Sequence, residues 1–186
     1  MTQKTFVKMW FILTIATTGL AGLVYLTVQQ NLRQGANDPQ IQIAQDVAGQ
    51  LDNNKSPVDI NPNLGNSDKT DISKSLGVFI TIYDETGKPT SGTGLLHREL
   101  PKLPQGIFTY TKKHGEDRVT WEPETGVRNA LIVVPYNKGF VAVGRSLLEV
   151  ENRSIQMLEI TFLAWLVTTI TTLILALAFD RLKIFN

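Results

Sequence analysis

The chain has 186 residues, 42% of them hydrophobic, with 18 lysines and arginines against 17 aspartates and glutamates and no cysteine. A formal charge of +1 leaves no electrostatic footprint for nucleic acid. The missing cysteines exclude disulfides, thiol catalysis and every cysteine-ligated metal or iron–sulfur site, and a cysteine-free outer domain of this size points to a bacterial membrane.

Composition is unevenly distributed. Met9 to Val28 and Ile160 to Phe179 are two runs of 20 residues without a charged side chain. At about 1.5 Å per residue, each makes a helix of about 30 Å, the thickness of a bilayer core. Gln29, Gln30 and Arg33 close the first run, Glu159 opens the second, and Asp180, Arg181 and Lys183 close it. Trp10, Tyr25 and Trp165 stand near the ends, where amphipathic rings suit the headgroup region. The first run outlasts a cleavable signal core and has no Ala-x-Ala site, so it is expected to stay as an anchor. Lys4 and Lys8 before the first run, with Arg181 and Lys183 after the second, favour two cytoplasmic termini and an outer central segment, against Arg33, Arg145 and Arg153 on the other side. The expected division is a cytoplasmic N-terminus over 1–8, a span over 9–28, an outer helix and linker over 29–75, a sheet domain over 76–146, a connecting helix over 147–159, a span over 160–179 and a cytoplasmic tail over 180–186. This describes a two-pass protein of the plasma membrane.

Between the runs, Ile41, Ala44, Val47, Ala48 and Leu51 recur at helical spacing. Asp38-Pro39 is the expected start of that helix, an N-cap residue followed by proline at the first helical position, and the alternative is a solvated spacer helix that continues the membrane span. Residues 52 to 75 carry loop chemistry: a linker, a lid, or a stretch with short helical turns. Val78 to Tyr83 reads as a strand, Asp84 to Pro89 as its turn, and Ser91 to Leu96 as a short second strand. Gly92 and Gly94 lack the Lys-Ser/Thr of a phosphate loop and are expected as turn or bulge glycines. A short helix or turn follows over 106–113, then strands over 118–122, 128–135 and 139–145, the last two joined by a tight turn at Tyr136-Asn137-Lys138. Ser146 with Glu149 forms a capping-box pattern opening a last helix that nothing interrupts before Phe179. The fold class is therefore α+β, an antiparallel five-stranded sheet with flanking helices between two transmembrane helices.

Val78-Phe79-Ile80-Thr81-Ile82-Tyr83-Asp84 with Gly87-Lys88-Pro89, then Arg118-Val119-Thr120-Trp121, then Gly144-Arg145-Ser146-Leu147 leading into Glu149-Val150-Glu151, come in a fixed order between two spans. In this the chain resembles the extracytoplasmic PAS-like sensor domains, called Cache or PDC domains, of bacterial histidine kinases and chemoreceptors. The resemblance covers about residues 37–155 and both membrane flanks, and it implies a PAS-like sheet and a role in signal transduction. Such proteins normally continue into a HAMP, kinase or methyl-accepting region. Only seven residues follow Phe179, so the expected protein is a non-enzymatic sensor reporting through a membrane signalling partner or a homodimer.

For a small-molecule ligand, Tyr83, Tyr110, Arg118 and Arg128 are the candidate contacts, because arginines hold organic anions and aromatic rings close over them. Strand alternation sets Val119 with Trp121 and puts Arg118, Thr120 and Glu122 on the opposite face, so Arg118 and Trp121 do not line one cavity. The plainer reading makes the arginines surface charges and Trp121 core. His97 and His114 form no metal signature, no Ser/His/Asp set stands out, and Glu149 and Glu151 read as a solvated helix surface; no cofactor or metal is expected. Gly19, Gly22 and the threonines from Thr168 to Thr172 permit close helix contact in the membrane, while threonine also bonds its own helix. The rival function is an accessory or assembly subunit using the outer domain as a protein interface.

Overall fold

The computed structural model describes residues 3–65 and 69–182. The chain divides into two units, Met1–Leu32 with Asn152–Asn186, and Arg33–Glu151.

The Arg33–Glu151 unit is built on an antiparallel sheet of five strands. In chain order the elements are α1 (Gln3–Asp52), α2 (Pro57–Ile60), a 3-10 turn (Pro62–Leu64), β1 (Thr70–Asp71), β2 (Val78–Asp84), β3 (Pro89–Gly92), β4 (Gly94–Leu95), α3 (Gln105–His114), β5 (Asp117–Trp121), β6 (Asn129–Tyr136), β7 (Gly139–Ser146) and α4 (Leu148–Leu182). The strand order is β3-β2-β7-β6-β5, while β1 and β4 form a separate two-stranded parallel pair. The first and last strands of the large sheet are therefore neighbours, with Val78 opposite Arg145 and Asp84 opposite Gly139.

Alternation along the three central strands makes both faces apolar. Ile80, Ile82, Ile132, Val134, Val141 and Val143 point to one face, which is covered by Ala44, Val47, Ala48 and Leu51 of α1 and by Leu64. Phe79, Tyr83, Leu131, Val133, Phe140, Ala142 and Trp121 point to the other, under Phe108 of α3 with Ile72 and Leu103. The domain has three layers, with the helical stripe read from residues 41–51 supplying one outer layer. Asp52 pins the end of that layer, its carboxylate accepting the Asn137 N–H of the β6–β7 turn at 2.7 Å.

One expectation needs correction. No helix begins at Asp38-Pro39: α1 runs from Gln3 to Asp52 with Pro39 inside it. Proline at a helix start and proline inside a longer helix look alike locally, and here the residues before Pro39 are themselves helical. Of the readings open for 52–75, the structure has the short helical turns, with α2, the 3-10 turn and β1 in this stretch. Ser56 and Asn61 each cap a short turn, and the Ser91 hydroxyl donates to the Leu64 carbonyl at 2.6 Å, tying the turn to β3. Residues 66–68 of this stretch, and the expected tail from residue 183 onward, lie outside the described residues.

In the other unit, α1 and α4 each contain a helix long and apolar enough to cross a membrane, Val7–Leu32 and Leu148–Ala178. Half-buried positions repeat at three and four residues on both: Trp10, Thr14, Thr17, Ala21 and Tyr25 on α1, Thr161, Trp165, Thr169, Thr172 and Ala176 on α4. Along this seam the Trp165 indole donates to the Thr18 hydroxyl at 2.9 Å and the Trp10 indole to the Thr169 carbonyl at 3.4 Å. Thr168, Thr169 and Thr172 donate to carbonyls of their own helix, which satisfies hydroxyls that lipid cannot. Large apolar side chains such as Phe11, Leu20, Phe162 and Ile174 face outward.

A close contact in the domain core lies where Gly144 of β7 opposes Phe79 of β2. A Cβ at Gly144 would stand 2.2 Å from the Phe79 ring. Gly144→Ala is expected to destabilise the domain by about 1–3 kcal/mol through overpacking. Denaturant unfolding of the two proteins side by side measures this.

Candidate functional site

A surface cleft of about 420 Å³ opens beside α3 and is lined by Glu85, Gln105, Phe108, Thr109, Lys112, Lys113 and Phe140. Its α3 members fall at intervals of three and one residues, so they share one helical face. Phe108 and Phe140 form the floor. Their rings are 5.0 Å apart, and Phe108 packs at 5.0 Å against Tyr83, so the floor is the outer surface of the aromatic core.

The opposite wall is the β2–β3 turn. The Asp84 carboxylate accepts from the Thr86 hydroxyl at 2.6 Å and from the N–H groups of Thr86 and Lys88 at 2.9 and 3.0 Å. These bonds, the Thr86 hydroxyl first, hold the Asp84 carboxyl below the usual carboxylate range. Gly87, with φ of +81°, completes the turn and lies so close to Phe108 that a Cβ would come within 2.6 Å of the ring. The turn thus rests on α3 and presents Glu85 across the cleft from Lys112 and Lys113. The two lysines occupy the last turn of α3, where cations suit the helix dipole. A cleft with an aromatic floor, two ammonium groups, one carboxylate and one amide can hold a small polar molecule by charge and hydrogen bonds, or receive a side chain of another protein.

Of the residues expected at a ligand site, Tyr83 is fully buried beneath the floor, its hydroxyl donating to the Pro101 carbonyl at 2.8 Å. Tyr110 is on the exposed side of α3, stacked on His114 with ring centroids 4.0 Å apart. Arg118 is on the edge strand and pairs with Glu116. Arg128 pairs with Glu151 and lies 3.4 Å from Glu122. None of the four lines the cleft. Trp121 is core, on the face opposite Arg118, as alternation requires.

His97 is bonded to Glu124 at 2.9 Å, and the His114 Nδ1 donates to the Tyr110 carbonyl at 3.0 Å. Among the described residues no three or more histidines or carboxylates come together as a metal site. Glu149 and Glu151 are not merely solvated: Glu149 pairs with Arg145 at 3.3 Å and Glu151 with Arg128. Ser146 ends β7, and its Oγ accepts from the N–H of Leu148, the first residue of α4, at 3.3 Å.

Comparison with known proteins finds no matching family model, curated protein or solved structure. The functional reading therefore rests on the residues themselves. Lys112, Lys113 and Glu85 escaped a search for motifs because charges at a helix end and in a turn have ordinary explanations there. The available signal was the shared face of Gln105, Thr109, Lys112 and Lys113 above an apolar Phe108.

Burial pushes the Tyr83 phenol above its ordinary value, a smaller opposing effect coming from Thr81. The unfolded chain releases this proton near pH 10 while the folded chain keeps it, so folding stability falls as pH rises through and beyond that value. Wild-type protein is expected to lose stability more steeply above pH 10 than Tyr83→Phe. Unfolding free energies at pH 8 and pH 11 for both proteins test the difference.

Proposed function

We propose that this is a two-span membrane protein whose PAS-like domain lies outside the bacterial plasma membrane, binds a small ligand or protein at the α3 cleft, and signals through a membrane partner. The observation that carries this reading is the cleft itself. Its floor rings belong to the packed core and its walls come from α3 and the β2–β3 turn, so an occupant bears directly on the sheet. Support for the PAS-like assignment comes from the five-stranded antiparallel sheet, its paired first and last strands, and helices on both faces. The basic residues beyond the span ends favour an outer domain.

One observation favours the accessory-subunit reading. Tyr83, Phe108 and Phe140 fill the space between α3 and the sheet, so recognition is a surface event, as it is at a protein interface.

The test is the melting temperature of the full chain in lipid nanodiscs against a panel of carboxylates, amino acids and divalent ions. A ligand at a hundred times its dissociation constant adds about 2.7 kcal/mol, a shift of several degrees. A saturable rise that disappears in the Lys112→Glu, Lys113→Glu double variant is the expected outcome. A panel without effect, together with a specific membrane crosslink through α3, would replace the small-ligand sensor with the accessory subunit.

A further inference from the structure

We propose that the two helices leaving the sheet domain are mechanically unequal: α4 is locked to the sheet by two arginine latches, whereas α1 carries a hinge at Gly35–Pro39. This builds on the sensor reading by naming the route of coupling, yet it is defined without any ligand.

The latches close on the first turn of α4. Arg128, immediately before β6, donates from Nη1 to Glu151 and reaches Glu122, just past β5, at 3.4 Å through Nε. Arg145, on β7, donates to Glu149 at 3.3 Å. The backbone adds a third tie, the Leu147 N–H donating to the Arg128 carbonyl at 2.8 Å. Glu149 and Glu151 are two residues apart and so project about 200° apart around the helix. One ion pair would leave the helix free to roll about its axis. Two pairs on opposite flanks, drawn from Arg128 before β6 and Arg145 on β7, hold its first turn on both sides. The carboxylates also suit the positive end of the helix dipole. Beyond this root, α4 runs to Leu182 without a proline or a glycine.

Conditions in α1 are the reverse. Pro39 has no N–H to give the Gly35 carbonyl, and its ring crowds that oxygen. Gly35 itself contributes no side chain to hold the turn. Next to the proline, Gln40 is fully buried, with neither its amide nitrogen nor its amide oxygen hydrogen-bonded among the described residues. A buried amide without partners costs stability, which adjustment of the turn would recover. A missing helix bond, a glycine and an unsatisfied amide thus coincide within six residues of α1, and nothing comparable occurs in α4. Displacement of the sheet is absorbed at the α1 hinge and carried onward by α4.

Hydrogen exchange on the full chain in nanodiscs, without ligand, tests both halves. In the Arg128→Gln, Arg145→Gln double variant, amides of 151–156 should exchange at least tenfold faster, while those of β2, β6 and β7 keep their protection. The Arg128→Lys, Arg145→Lys variant keeps both positive charges and should retain most of the protection, which separates a latch from a general loss of folding. Unchanged exchange in the Gln double variant, or equal acceleration in the Lys variant, overturns the latch. Pro39→Ala should slow exchange over 36–42 at least threefold, and an unchanged rate there overturns the hinge. Neither result depends on whether the cleft binds anything, so failure of the ligand panel and failure of this mechanism are read separately.

Discussion

The structure of the Arg33–Glu151 unit depends on one constraint, the burial of both faces of β2, β6 and β7. A sheet with one wet face would need only one covering helix, and its strands would alternate between apolar and polar residues. Here Ile80 and Ile82 require α1 while Phe79 and Tyr83 require α3, so neither helix is dispensable. The backbone of these strands is paired on both sides, β2 by β3 and β7, and β6 by β5 and β7. Desolvating both faces therefore leaves the ladder satisfied. Within the five strands the charged residues stand at strand ends and on the β5 edge, and Arg118 and Arg145 find their carboxylate partners there.

This arrangement gives the helix that covers one sheet face a second role. The residues of α1 from Ala44 to Leu51 are core, while the same helix nearer its start has the length and composition of a membrane span. The last strand likewise passes at once into α4. The span segments of the two helices meet along a seam of threonine, alanine and aromatic residues, where indole and hydroxyl groups find partners that hydrocarbon would not supply. Apolar bulk faces outward and hydrogen-bonding groups face the neighbouring helix, the inverse of the pattern in the water-facing part of α1.

Most elements were legible because their periodicities are strong. The strands at β2, β5, β6 and β7 and the helix at α3 were expected within a residue or two of their bounds, since β-branched runs punctuated by glycine, proline and asparagine allow few alternatives. The start of the Ile41 helix was not legible, because Pro39 satisfies the local rules for a first helical residue. The turns of 52–75 were one of several readings of that stretch; Ser56 and Asn61 cap them through local bonds, while the Ser91 bond to Leu64 depends on the fold. The cleft was less visible still. Arginine and tyrosine were the chemically reasonable candidates, but Tyr83 had to serve the core and Arg118 and Arg128 had carboxylates within reach.

What the sequence determined by itself was the class of the protein: two helices able to cross a bilayer, an α+β domain between them, and no thiol chemistry. These follow from run length, alternation and composition, which are properties of neighbouring residues. Tertiary structure decided which strands are adjacent, that α1 continues through Pro39, that Glu149 and Glu151 are held by arginines, and that Glu85 lines one cleft with Lys112 and Lys113. The strand neighbours, the Arg128–Glu151 pair and the grouping of Glu85 with the two lysines join residues far apart in the chain, and such pairings follow from the packing of the whole fold, which no local pattern records.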